Sequence, residues 1–190
     1  HKVLLKKSSH ILTENSSMMR IISGIRRGKK LNTLTGENTR PTLERVKQAF
    51  FSAVQFEIAD RKVLDLFAGS GQLGLEALSR GASFCLFNDM SKEAYNVISK
   101  NISACNFAEI SQLTCKTHTE CVKLISSKKT KFSLVFLDPP YSCGLVNDAL
   151  DLLYTGNCLT DDAIIICESA DTDKIDINNF ELYKEYKYSG

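Results

Sequence analysis

The sequence has no apolar run approaching the ~20 residues that a membrane-spanning helix needs. Nor does it hold any Cys-x-x-Cys pair, and its three histidines, His1, His10 and His118, form no cluster. A spanning helix and a zinc site are therefore not expected, and no metal is assigned. The seven cysteines are unpatterned and odd in number, which fits a reducing cytoplasm better than a disulfide framework. Cys85, Cys115 and Cys167 sit in apolar runs, where a thiol reads as a small hydrophobe. With 190 residues, 43% hydrophobic and 24% charged, the chain is long enough to bury a core without staples.

The net charge of +2 conceals an asymmetry. Residues 1–50 carry eleven Lys or Arg against three Glu, whereas residues 51–190 carry thirteen basic and nineteen acidic side chains. A basic front on an acidic body points to a polyanionic partner docking beside the main domain. The chain starts at His1 rather than Met, and residues 1–17 show no sustained period. They read as a leader or tail of unknown role, with the module starting at Met18 or Met19. Residues 18–58 read as a basic β-hairpin turning at Arg26, Arg27 and Gly28, then a loop and a helix opened by Pro41. Residues 59–190 alternate strand with helix. Strands are expected at 62–67, 84–88, 111–115, 132–137 and 163–168, with helices between them at 72–80, 92–102, 120–126 and 145–154, and Ser91 is placed to cap the second. Such alternation means a parallel sheet covered on both faces. Residues 180–188 alternate as an edge strand whose return partner is absent from the sequence.

The segment DLFAGSGQLG, from Asp65 to Gly74, contains a G-x-G-x-x-G turn between a strand and a helix. In that place glycines let a ligand approach the backbone at the amino end of a helix. Gly74 reads mainly as a helix-packing residue. Asp65 interrupts an apolar strand near its carboxyl end, where it would repel a pyrophosphate and favour a ligand of positive character. Asp89, at the end of the next strand, is placed for ribose hydroxyls. A second constellation, LDPPY, ends the fourth strand. Two prolines withhold two N–H groups and leave carbonyls outward. With Asp138 and the Tyr141 ring, these acceptors suit a planar base bearing an amino group.

Together DLFAGSG, Asp89 and DPPY resemble S-adenosylmethionine-dependent amino-methyltransferases. The wording MRIISG, RGKKL, NTRPT, RVKQAFF, DLFAGSGQLGLEALSRGA and LDPPY resembles the RsmD family of 16S ribosomal RNA guanine-N2 methyltransferases. The resemblance implies an α/β, Rossmann-like methyltransferase fold: a mixed, mostly parallel seven-stranded sheet with helices on both faces, extended by a small N-terminal hairpin and helix. It implies that Asp65, Phe67, Ala68, Gly69, Ser70 and Gly71 hold the methionine part of the cofactor, Asp89 the ribose and Met90 the adenine. Asp138, Pro139, Pro140 and Tyr141 are the implied catalytic grip on the guanine. Arg26, Arg27, Lys29, Lys30, Arg40 and Arg45 would meet RNA, and the loop Arg40, Pro41 and Thr42 would close over cofactor or base. Where many relatives carry Gly-Asp after the third strand, this chain has Lys116 and Thr117 followed by His118, so Thr117 falls at the adenine side. The implied partner is 16S rRNA or a small-subunit assembly intermediate, met by a monomer in the cytoplasm. Read from the residues alone, DPPY also serves an adenine-N6 DNA or RNA methyltransferase or a protein-glutamine methyltransferase. The glycine turn alone also serves a NAD-binding oxidoreductase or a non-catalytic nucleotide-binding module.

Overall fold

Short β-branched and apolar runs separated by amphipathic ones give the chain its layers. The computed structural model describes residues 1–8, 19–35, 51–140, 144–170 and 174–188. Seven strands, β1 Lys2–Ser8, β2 Lys62–Asp65, β3 Phe84–Asp89, β4 Ser111–Cys115, β5 Phe132–Leu137, β6 Leu159–Ala170 and β7 Glu181–Tyr188, form one sheet in the order β4-β3-β2-β5-β6-β1-β7. Among the described residues the α-helices that connect them are α1 Gln72–Ser79, α2 Lys92–Ala104, α3 His118–Ser127 and α4 Leu145–Thr155. Among the described residues every pairing of these strands is parallel.

Alternation along each strand divides the core in two. Val63, Phe87, Leu134 and Ile164 pack with Leu75 of α1 and Ile98 of α2 on one face. Leu64, Leu86, Val135 and Ile165 pack with Ile125 of α3 and Leu150 of α4 on the other. Each such fully buried side chain contributes about 1.5–3 kcal/mol. From β2 the chain winds outward through β3 to β4, and from β5 it winds the other way. The reversal lies between β2 and β5, and a crevice opens there beyond their carboxyl ends.

Three features differ from the sequence expectation. Residues 2–8, read as part of a leader, form β1 and pair on both sides, with β6 and with β7. The sheet is parallel rather than mixed, and β1 takes the place beside β7 where a return partner was expected. Residues 19–31 fold back through a single antiparallel bridge, Arg20 to Lys30, rather than two strands. The physical reason is that this arm packs against helices instead of a neighbouring strand: Glu76 of α1 accepts the Ile22 and Ser23 N–H groups at 2.7 and 3.0 Å. Of the helix expected after Pro41, residues 51–53 are helical, and the rest lies outside the described residues.

Candidate functional site

The turn after β2 is built by its glycines and by β3. Gly69 and Gly71 have φ of 53° and 80°, in the left-handed region open to a residue without Cβ. The Ala68 N–H donates to the Asn88 carbonyl at 2.9 Å, so the turn is stitched to the end of β3. At Gly74 a Cβ would lie 2.3 Å from Cε1 of Phe87 and 2.7 Å from the Cys85 sulfur, which bears out helix packing as its role.

Asp65 lies beneath this turn and is 1% exposed. Its Oδ2 accepts the Gly74 N–H at 2.9 Å, in the first turn of α1. Burial, and secondarily the Asp65 carboxylate, push the Cys85 thiol up. The carboxylate thus answers the positive amino end of α1 from below. Asp89 sits at the other side of the turn. Its Oδ2 accepts the Gly69 N–H and its Oδ1 the Ser91 N–H, both at 2.9 Å. Two carboxylate oxygens offer about four acceptor directions, so capacity remains for hydroxyl groups. Ser91 caps α2 as expected, accepting from the Ala94 N–H.

A cleft of about 690 Å³ opens at the carboxyl ends of the strands. Phe67, Gly69, Asp89, Met90 and Thr117 line it together with Asp138, Pro139 and Pro140, so the two constellations that the sequence separates by about a third of its length share one cavity. Met90 is 74% exposed and offers an apolar surface to it. Asp65, Ala68, Ser70 and Gly71 stand behind the lining and shape the turn. Tyr141, Arg40 and Arg45 lie outside the described residues. Arg27, Lys29 and Lys30 are exposed on the arm. Arg26 differs: its Nε donates to the Cys105 carbonyl at 2.6 Å and its guanidinium lies over Phe107, so packing occupies it. Cys115, expected in the core, is exposed at the end of β4.

Sequence reasoning missed several residues here. Buried Asn88 donates to the Leu66 and Lys116 carbonyls at 3.1 and 3.0 Å and accepts from the Thr114 hydroxyl, joining the ends of β2, β3 and β4. Its signal was a polar residue in an apolar strand next to Asp89. Leu34 also lines the cleft, with no motif to mark it. At the adenine-side position, the Thr117 hydroxyl is bonded to Glu120 in a capping box for α3. His118 lines the cleft beside it, its ring 5.5 Å from that of Phe67 and its Nε2 2.5 Å from Oδ2 of Asp148 in α4.

Comparison with known proteins agrees with this geometry. The family model described as "Conserved hypothetical protein 95" matches residues 19–190. The ribosomal RNA small subunit methyltransferase D of Haemophilus influenzae is 37% identical over 169 residues, covering 88% of this chain and 87% of its own. The solved methyltransferase yhhF of Escherichia coli superposes with a TM-score of 0.74 at 33% identity, covering 85% of this chain and 88% of that one. A more distant S-adenosylmethionine-dependent methyltransferase of Agrobacterium tumefaciens, 17% identical, shares the fold alone, with a TM-score of 0.55 over 67% of this chain and 44% of that one. With a family model matching residues 19–190 and a relative 37% identical over most of both chains, the chain belongs to the Conserved hypothetical protein 95 family, that of ribosomal RNA small subunit methyltransferase D.

Proposed function

We propose that the protein uses S-adenosylmethionine to methylate the exocyclic N2 amine of a guanine in 16S ribosomal RNA, presented as RNA or as a small-subunit assembly intermediate. The observation that carries this reading is that Asp138, Pro139 and Pro140 line the same cleft as Asp89 and Met90.

The residues present fit the methyl donor. Asp89 brings carboxylate acceptors for ribose hydroxyls, Met90 an apolar surface for adenine, and Gly69 a floor without a side chain. A pyrophosphate fits less well, because the amino end of α1 already faces the buried Asp65 carboxylate. Asp65 would then act on the methionine part through the turn it holds. S-adenosylmethionine, when bound, supplies a methyl carbon made electrophilic by the adjoining sulfonium.

What the protein must provide is a usable lone pair, since an exocyclic amine shares its own with the ring. The Asp138 carboxylate and the Pro139 carbonyl accept the two amine hydrogens, which turns the lone pair outward. Asp138 takes the proton the nitrogen sheds. Pro140 fixes the carbonyl direction by locking the backbone. Orientation and fixed acceptors of this kind are each worth several kcal/mol of barrier. The exposed Arg27, Lys29 and Lys30 meet the phosphate backbone.

Asp138→Ala is expected to bind S-adenosylhomocysteine like the wild type, by calorimetry, while methyl transfer to 16S rRNA falls by about 10²–10³-fold or more. Near-wild-type transfer would remove Asp138 from the chemistry. In the same calorimeter the wild type is expected to bind S-adenosylhomocysteine and not NAD, and the reverse would favour an oxidoreductase.

A further inference from the structure

Asn101, in the last turn of α2, is wholly buried and uses both polar atoms of its amide. Its Oδ1 accepts the backbone N–H and the side-chain Nδ2 of Asn32 at 2.8 and 2.9 Å. Its Nδ2 donates to the Asn32 carbonyl at 3.0 Å and to the Ser70 carbonyl at 2.9 Å. One side chain thus grips the backbone of the N-terminal arm on one side and the glycine turn on the other. A buried amide with every bond made is costly to disturb, since each bond lost strands a group away from water.

The arm continues from there along α2. Thr35 donates its N–H to Oε1 of Glu93, in the first turn of the same helix, at 3.0 Å. Eight residues of helix separate Glu93 from Asn101, about 12 Å. Residues 32–35 therefore lie along the helix between two fixed points, and Leu34 between them reaches the cleft beside Gly69 and Ala94. A third tie, from the Ser70 hydroxyl to the Met19 sulfur at 3.1 Å, joins the same turn to the start of the arm. The exposed bases Arg27, Lys29 and Lys30 stand two to five residues before Asn32 on this one strip.

We infer that Asn101 is a positioning residue that couples the basic arm to the cofactor turn, so that RNA docking on the arm and cofactor binding in the cleft strengthen each other. The inference rests on the methyltransferase reading for the identity of the two ligands. Holding the arm in place keeps Leu34 as a wall of the cleft and keeps Ser70 in register. A ligand that fixes the arm thereby favours the turn conformation that holds the other, and linkage makes the effect reciprocal.

The test measures the S-adenosylhomocysteine affinity of the full chain by calorimetry, with and without a 16S rRNA transcript. Wild type is expected to bind about tenfold more tightly with RNA present. Asn101→Asp removes both donors at nearly constant volume and should weaken binding without RNA by about tenfold, with the RNA effect falling towards one. Asn32→Pro deletes the latch's backbone N–H at an exposed position outside the core and the cleft lining, and should do the same to a smaller degree. If Asn101→Asp fails to fold by circular dichroism, Asn32→Pro carries the test. A purely structural role would lower melting temperature and leave affinity and RNA effect at wild-type values, and that result, or a wild type indifferent to RNA, overturns the coupling. A wild type that binds no S-adenosylhomocysteine would instead overturn the methyltransferase reading itself, and the coupling with it.

Discussion

The two walls of the cleft are held differently. On the cofactor side, buried Asp65, Asn88 and Asn101, with Asp89, fix the turn from beneath, behind and beside through bonds of 2.9 to 3.1 Å. On the base side, α4 is joined to the cofactor side near the cleft by His118 and Asp148, a pair whose carboxylate side chain is 54% exposed. Buried bonds resist disturbance because nothing replaces them, while a surface pair exchanges freely with water. The contrast suits a site in which the methyl donor meets a cradle held by buried bonds, reached by the arm through Asn101, while the opposite wall adjusts more freely to the larger nucleic acid.

The largest effect should come from crowding the rigid wall. Gly74→Ala gains about 1 kcal/mol of helix propensity. Against this, the new Cβ would stand 2.3 and 2.8 Å from ring atoms of Phe87, which is fully buried. Overpacking of that kind costs about 1–3 kcal/mol, occasionally more, so the variant should be less stable in urea titration and bind S-adenosylhomocysteine weakly. A variant as stable as wild type would mean that the turn is looser than its contacts imply.

His118→Ala should act on the other wall. Loss of the pair with Asp148 should cost no more than about 1 kcal/mol of stability. Its consequence should instead appear as a higher KM for RNA, measured in a transfer assay with saturating methyl donor. A large loss of stability with unchanged KM would contradict the contrast between the walls.

The smallest effect concerns the start of α3. Backbone and then side-chain hydrogen bonds from Thr117 hold the Glu120 carboxyl below its ordinary value of 4.5. A depressed carboxyl stabilises the fold above its unfolded value, and that contribution disappears as pH falls through the lowered one. Melting curves from pH 7 to pH 3 should show the wild type losing a small increment that Glu120→Gln does not lose. Parallel acid profiles would mean that the capping box does not contribute in solution.

How much of this was legible depended on sequence separation. Ser111–Cys115 and Phe132–Leu137 match their expected bounds, the second because an apolar run flanked by polar residues marks a strand locally. The cleft residues Asp89, Asp138 and Pro139 were also legible, because each stands at the end of such a run. β1 was not. Leu4 packs into one core face and Val3 and Leu5 into the other, so an internal parallel strand shows three consecutive apolar residues and no alternation. Only its long-range partners, Ile165 and Ile166 across the sheet, identify it. Asn101 was invisible for the same reason, lying in a polar-looking helix segment whose partner stands 69 residues away. Asp65 was noticed for its charge in an apolar strand, yet its place beneath the turn emerged only from the Gly74 contact.

The central claim, that one cleft joins a methyl donor to a guanine amine held by Asp138 and Pro139, is tested most directly by mass spectrometry of nuclease-digested 16S rRNA. The RNA is incubated with the purified protein and S-adenosylmethionine, as naked RNA and as a small-subunit particle. The wild type should give a single N2-methylguanine, and Asp138→Ala at most about a hundredth as much of it in the same time. Methylation of adenine N6, or N2-methylguanine from Asp138→Ala at the wild-type rate, would contradict that claim.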